Sequence, residues 1–381
     1  MRFAKRTNWR LESNPLSRLL EAKKAAGEKI FDLTESNPTR SGFHSLKNLE
    51  CPPGPENFSY DPDPHGLLSA RRAVCDYYLE KKIRVLPDQV FLTAGTSEAY
   101  AFVFRLLLNP GERALAPRPS YPLLDYLAGL NDARISRYRL RYENGWRMDP
   151  KPASARNAKV FILVNPNNPT GHFVRREERL LVNRFCSRNK MAVLSDEVFL
   201  DYPFENGAGH SFAGNDECLT FTLSGISKIL ALPQMKLSWI VVSGPEKETR
   251  EAIRRLEIIA DTFLSVNTPA QNAFPGWMEK RGEIQAEIMK RIFENRNHLT
   301  RGTPPLRILK SEGGWYAVID AAAHGRADEE KIAMTLLKKH NTLAHPGYFY
   351  DFAGGAHLVL GLLAREPIFR EGMDRLRGEL I

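Results

Sequence analysis

Between residues 90 and 244 the sequence alternates short apolar runs with helical patterns. This alternation restricts the possible folds more than any other feature. The runs are VFLTAG (90–95), RALAP (113–117), KVFILVN (159–165), MAVLSDEVF (191–199), LTFTLSG (219–225) and LSWIVVSG (237–244). They are apolar along most of their length, as strands covered on both faces are. Stretches such as SEAYAFVFRLLL (97–108) and REERLLVNRFCSRN (176–189) between them have helical spacing. Strand and helix in alternation predict an α/β fold with a mostly parallel sheet. Most runs end in a polar or glycine-containing motif: TAGTSEAY, NPNNPTG, SDEVF and SGISK. In open α/β sheets the ligand crevice lies outside the carboxyl ends of the strands, so these distant motifs are expected at one site.

After about residue 260 the texture changes. ADTFLSVNTPAQ reads as a crossing segment, followed by a long helix around EIQAEIMKRIFENRNHLT. Strand-like pieces at GGWYAVID and HLVLGLL and a final helix near PIFREGMDRLRG complete a smaller α+β unit. At 381 residues the chain exceeds one typical core. The expected division is an N-terminal segment (1–45) packing with the small domain, a large domain (46–265) and a small domain (266–381).

Composition excludes several classes. No apolar run reaches about 18 residues, so no membrane-spanning helix is expected. MRFAKRTNWRLESN is basic but lacks the apolar core of a secretory signal. The net charge of +9 comes from scattered residues and short pairs such as Arg175-Arg176 and Lys338-Lys339. That pattern suits attraction of small anions better than nucleic-acid binding. Cys51, Cys75, Cys186 and Cys218 form no CxxC pair and the nine histidines form no HExxH. No metal site is expected, and unpaired thiols fit the reducing cytoplasm.

Each motif has a chemical reading and a bland one. Thr93-Ala94-Gly95-Thr96-Ser97 passes from a strand into a helix that Ser97 or Thr96 can cap. The free N–H groups and dipole of such a helix suit phosphate, although an ordinary capped turn reads the same. Asn165–Gly171 is a proline-fixed turn that either presents an asparagine amide to a ligand oxygen or is purely structural. Asp196 and Glu197 end a strand where a buried carboxylate is costly unless paired. A protonated heterocyclic nitrogen is one such partner, and solvent is the alternative. Lys228 follows LTFTLSG. A desolvated lysine has a lowered pKa and forms Schiff bases with carbonyls, whereas an isolated strand-end lysine is solvated.

TAGTSEAY, PSYP, NPNNPTG, SDEVF and SGISK, in this order and spacing, resemble the fold-type I pyridoxal-phosphate enzymes of the class I/II aminotransferase family. The resemblance runs from about residue 28 to the C-terminus. It implies a large domain with a mostly parallel sheet between helices (three-layer α/β/α) plus a smaller α+β domain, the N-terminal segment covering the active site. It also implies a homodimer with shared active sites. The implied activity moves an amino group between an L-amino acid and a 2-oxo acid through a Schiff base on Lys228, with pyridoxal 5′-phosphate as cofactor. Lys228 would carry the covalent link and the proton, and Asp196 would pair with the pyridinium nitrogen. Asn168 would donate to the phenolic oxygen, Tyr121 would stack on the ring, and Gly95, Thr96, Ser97 and Ser227 would hold the phosphate. Tyr60 would reach the phosphate of the neighbouring subunit. Asn37 and Asn168 are candidate substrate contacts. A lyase, decarboxylase or synthase using the same cofactor is the alternative, and a non-catalytic effector-binding protein comes third.

Three positions depart from the family pattern. Lys236 stands where an arginine usually meets the phosphate, giving a point charge without the planar fork. Phe199 stands where a tyrosine usually donates to the phenolic oxygen, with Tyr202 nearby in sequence. Val359 aligns with the arginine that clamps the substrate carboxylate; either the clamp comes from elsewhere, with Arg40 and Arg365 as candidates, or the substrate lacks a standard α-carboxylate contact. Trp315, Tyr316 and the aromatics of HPGYFYDF (345–352) either face substrate or fill the core.

Overall fold

The computed structural model describes residues 3–9, 11–50, 57, 61–149, 158–205, 209–301 and 306–381. The chain opens with α1 (Pro15–Ala25), started by the Asn14 side chain accepting from the Ser17 N–H and by a proline in the first turn. A short strand β1 (Phe31–Asp32) follows. Helix α2 (Leu68–Glu80) then leads into β2 (Val90–Thr93), α3 (Thr96–Leu107), β3 (Arg113–Arg118), α4 (Leu123–Leu130), β4 (Arg134–Tyr142) and β5 (Trp146–Met148). Next come β6 (Ala158–Val164), α5 (Arg176–Asn189), β7 (Ala192–Asp196), β8 (Thr220–Gly225), the one-turn α6 (Ile226–Ile229) and β9 (Ser238–Ser243).

These strands form one eight-stranded sheet in the order β2-β9-β8-β7-β6-β3-β4-β5. Strands β8, β7, β6, β3 and β4 run parallel. Strand β9 runs against both its neighbours, and β5 folds back on β4. Every residue of β2, β7, β8 and β9 is buried, as a strand between two helical layers requires. Side chains alternate across β9. Ile240 and Val242 join a cluster with Phe102 and Val103 of α3 and with Leu256. Trp239 and Val241 join another with Tyr77 and Tyr78 of α2. Trp239 is fully buried and donates its indole N–H to the Tyr78 hydroxyl at 3.2 Å.

Strand β4, RISRYRLRY, lies outside the six apolar runs. It is half covered: Tyr138 and Leu140 point inward while charged residues alternate outward. The Tyr138 hydroxyl donates to the Ile162 carbonyl at 3.0 Å.

The rest of the chain is α7 (Glu246–Phe263), α8 (Thr268–Glu279), α9 (Arg281–Thr300), β10 (Ile308–Leu309), β11 (Tyr316–Asp320), α10 (Glu329–His340), β12 (Thr342–Leu343), β13 (His345–Pro346), β14 (His357–Gly361) and α11 (Glu366–Leu380). Strands β10, β11, β14 and β13, in that order, make a small antiparallel sheet. β1 pairs in parallel with β12, and the Gly361 N–H donates to the Leu33 carbonyl. The N-terminal segment is thereby tied to this second layer. Among the described residues no helix is long and apolar enough to cross a membrane. No cluster of His, Cys, Asp and Glu there is placed to hold a metal ion.

Candidate active site

Strand β2 runs in the same direction as β6, β7 and β8, so all four present their carboxyl ends at one edge, where β9 begins. A cavity of about 190 Å³ lies there. Of the residues singled out in the sequence, Thr96, Tyr121, Asn168, Asp196, Ser227 and Lys228 line it. Ser36, Phe199 and Tyr316 complete much of the remaining wall.

Lys228 sits in α6, directly after β8. Gly225 permits the close approach that places it there. A Cβ on Gly225 would lie 2.1 Å from Ser238 Oγ and 2.9 Å from Ser238 Cα, so a larger residue would push β8 off β9. The lysine Nζ lies 5.0 Å from the centre of the Trp315 ring and 5.5 Å from that of Phe199. Burial lowers its pKa from 10.5 to about 8, and the nearby Asp196 charge works in the opposite direction.

Asp196 closes β7 and is 8% exposed. It accepts from the Tyr100 hydroxyl at 3.1 Å and the Val198 N–H at 3.3 Å. Burial raises its pKa to about 6, against the pull of these two donors and of Lys228. The neighbouring Glu197 belongs to the scaffold: it accepts from the Ser195 hydroxyl at 2.8 Å and the Phe212 N–H at 2.7 Å.

The turn after β6 sorts its three asparagines. Asn165 receives the Val174 N–H and donates to the His210 carbonyl. Asn167 donates to the Thr170 hydroxyl at 2.9 Å and the Pro119 carbonyl at 3.1 Å. Both side chains brace the turn and its surroundings, although Asn167 Oδ1 has no partner among the described residues. Asn168 faces the cavity with the Tyr316 hydroxyl and Ser36; burial raises the Tyr316 pKa, and the Ser36 and Asn168 side chains pull it down. The buried Asn168 Oδ1 has no partner among the described residues.

At the end of β2 the expected cap is corrected. Neither Thr96 nor Ser97 caps α3, because both already lie inside its first turn, and Gly95 occupies the cap position without a side-chain bond. Glu98 instead reaches back to the Ala94 N–H at 2.7 Å. The leading N–H groups of α3 therefore have no side-chain cap beside the cavity.

The other expected residues lie elsewhere. Lys236 is exposed and outside the cavity wall, in the loop that turns into β9 two residues before Ser238. The Asn37 side chain accepts from the Thr39 N–H and hydroxyl in a local turn, while its neighbour Ser36 reaches the cavity. Arg40 is exposed in a short helical turn, Pro38–Arg40. Arg365 starts α11 beside Gly42 and lines a different cavity, with Arg291, Phe43 and His44. Neither arginine is brought to the wall around Lys228. Tyr60 lies outside the described residues. Tyr202 does not stand in for the hydroxyl missing at Phe199. It donates to the main-chain carbonyl of Lys228 at 2.5 Å. Tyr316, which the sequence offers as either facing substrate or filling the core, lies in the cavity wall, whereas Ser36 carries no signal of its own in ESNPTRSG.

Comparison with known proteins finds aminotransferases. The chain is 27% identical over 369 residues to the glutamate-pyruvate aminotransferase AlaA of Escherichia coli K12, covering 91% of this chain and 90% of that protein. It is 26% identical over 378 residues to an alanine aminotransferase of Mycobacterium bovis, covering 94% and 87%. Among solved structures, an alanine aminotransferase from Pyrococcus furiosus superposes with a TM-score of 0.89 at 24% identity, covering 100% and 99% of the two chains. An aspartate aminotransferase from Thermus thermophilus gives 0.84 at 19% identity, covering 100% of both. At these identities the structural likeness is one of fold. The family model for aminotransferase class I and II matches residues 54–356, most of the chain, and the protein belongs to that family.

Proposed function

We propose that the protein is a pyridoxal-phosphate-dependent aminotransferase that moves an amino group between an L-amino acid and a 2-oxo acid, with Lys228 and Asp196 as its catalytic residues. One observation carries this reading: Lys228, Asp196 and Asn168 share one cavity wall with the uncapped start of α3.

The residues fit the cofactor chemically. Asp196 is a buried carboxylate whose hydrogen-bond donors, the Tyr100 hydroxyl and the Val198 N–H, are neutral, with Lys228 the nearby cation, and a pyridinium N–H would complete its pairing. The unpartnered face of Asn168 is suited to a polar group of the ring. Gly95, Thr96 and Ser97 would hold the phosphate on the α3 N-terminus, with the Ser227 hydroxyl, and Lys236 would add charge from the rim. Tyr121 would lie against the ring. When bound, the cofactor supplies a carbonyl for amines and an electron-withdrawing ring that takes up the charge left at the substrate Cα.

The chain's own residues do the rest. Lys228, with a pKa near 8, is partly neutral at neutral pH and so takes a proton from Cα and returns it. Asp196 remains anionic beside a cationic nitrogen and holds it charged. Phe199 and Trp315 flank the amine with apolar surface that keeps water from it. Ser36, Asn168 and Tyr316 offer polar atoms to the substrate.

The relatives' names put glutamate, alanine and pyruvate first among compounds to try. We further propose a cytoplasmic homodimer in which Tyr60 reaches the partner's phosphate, with domain limits near residues 45 and 265. The test is a single-turnover reaction with an amino acid and no oxo acid. One equivalent of oxo acid and one of aminated cofactor per site are expected, and Lys228→Ala abolishes both. Continuous release of pyruvate and ammonia would replace the aminotransferase reading with that of a lyase.

A further inference from the structure

His172 directly follows the Asn165–Gly171 turn and is 2% exposed. Its Nε2 lies 3.0 Å from Glu178 Oε2 in α5, and its Nδ1 lies 3.5 Å from Glu312 Oε2, just before β11. Both carboxylates are fixed from behind. Glu178 accepts the Arg175 N–H at 2.9 Å and the Met148 N–H at 2.7 Å. Glu312 accepts the Phe173 N–H at 3.0 Å and the Arg175 guanidinium at 2.7 Å. The Glu312 main chain is tied to the same turn, donating to the Gly171 carbonyl at 3.0 Å. The cluster thus joins two segments. One carries Asn168, four residues before His172, and the other carries Tyr316, four residues after Glu312. Those two side chains meet in the cavity.

The charge balance around the ring argues for its protonation. A neutral imidazole donates from one nitrogen only, so its other lone pair would lie against a carboxylate. Here each nitrogen lies within ion-pair distance of one, although neither is aligned for a hydrogen bond to it. Among the described residues, the charges packed around the ring are Glu178 and Glu312 against the guanidinium of Arg175, and the Tyr138 hydroxyl near Glu178 is committed to Ile162. One buried negative charge would stay uncompensated without a proton on His172.

We propose that His172 is a positioning residue: held as an imidazolium between Glu178 and Glu312, it locks the Asn168 turn and the Tyr316 strand into one wall of the cavity. The link to cofactor binding rests on the function proposed above; the ionic lock itself does not. Burial alone pushes the pKa of His172 down, but the two carboxylates outweigh it and the net direction is up. Glu312, despite partial burial, is held at about 2. The sign follows: the lock is complete below the ordinary histidine value of 6.5 and is lost as pH rises through the raised value.

The test uses the full chain labelled with 13C at histidine Cε1. The His172 signal, assigned by its loss in His172→Gln, is expected to titrate above pH 6.5. Glu312→Gln removes one facing charge and is expected to lower that midpoint by about one pH unit. Pyridoxal phosphate affinity, read by quenching of tryptophan fluorescence, should weaken about fivefold across the same midpoint, the scale of one lost hydrogen bond. In His172→Gln it should be weak at every pH and lack that step. A midpoint at or below 6.5, or one unmoved by Glu312→Gln, overturns the lock. Wild-type protein that binds no pyridoxal phosphate at any pH overturns the cofactor reading instead, and the titration still decides the lock.

Discussion

The environment of Lys228 leads to a quantitative expectation for its reactivity. A lysine with its ordinary pKa of 10.5 is about 0.03% neutral at pH 7, whereas one at about 8 is about 9% neutral, a gain of about 300-fold in nucleophile. The assay is capture of added pyridoxal phosphate, trapped with borohydride at timed intervals and read by intact mass and peptide mapping. Trapping at Lys228 should rise tenfold per pH unit below about pH 8 and level off above it. Asp196 raises the lysine pKa through its charge, so Asp196→Asn should move the break to lower pH. The same burial has a cost in stability. The gap between 10.5 and about 8, at about 1.4 kcal/mol per pH unit, is about 3 kcal/mol. Because the folded pKa is the lower one, this penalty is full below pH 8 and fades between pH 8 and 10.5, so this group's contribution to stability rises with pH there. A capture rate that climbs without a break past pH 9.5 would refute the argument, since it would show a solvated lysine.

Two further expectations test the frame around the site. Gly171 has φ +68°, and a Cβ there would lie 2.4 Å from the Gly313 carbonyl oxygen. Gly171→Ala should cost about 2–4 kcal/mol from backbone strain and overpacking, read as a lower urea midpoint; a loss under about 1 kcal/mol would contradict the close approach. Tyr202→Phe removes the hydroxyl that bonds the Lys228 carbonyl and should cost about 1–2 kcal/mol. The capture break near pH 8 should stay in place, and a shift of that break would mean the hydroxyl acts on the amine itself.

What the sequence disclosed follows a physical division. The six apolar runs were legible because strands buried on both faces carry their signal locally, and the observed β2, β3, β6, β7, β8 and β9 fall within or beside them. β4 escaped because only two of its residues are buried and arginines fill the alternate positions. Read with hindsight, the period of two in RISRYRLRY was the available clue. Lys228, Asp196 and Asn168 were legible because each sits at the carboxyl end of a strand, where topology alone directs it to the crevice. Ser36 and Tyr316 arrive from outside the large sheet, carried by tertiary packing that no local pattern encodes. Asn37 against Ser36 shows the limit most closely. Adjacent residues of similar character divide between a turn and the cavity, and only the backbone direction separates them.

The two apolar departures from the family pattern lie in separate apolar clusters that Tyr316 packs against. Phe199, 4% exposed, lies edge-on to Trp315 at 5.3 Å and to Tyr316 at 6.0 Å. Val359, 1% exposed, shares an apolar cluster with Tyr350 and packs beside Tyr316. Opposite Val359 in the small sheet stands His345, whose Nδ1 lies 3.3 Å from the Tyr350 hydroxyl. Burial lowers the pKa of His345 despite Asp32, so it too is neutral at neutral pH. A guanidinium at position 359 would therefore be buried among aromatic rings and a neutral imidazole, a setting that penalises an unpaired charge by several kcal/mol. Phe199 thus gives the cavity an aromatic wall, while Val359 lies in the small sheet outside that wall. The described wall nonetheless carries polar side chains, Ser36, Thr96, Tyr121, Asn168, Ser227, Ser238 and Tyr316 among them, and its charges are Lys228 and Asp196.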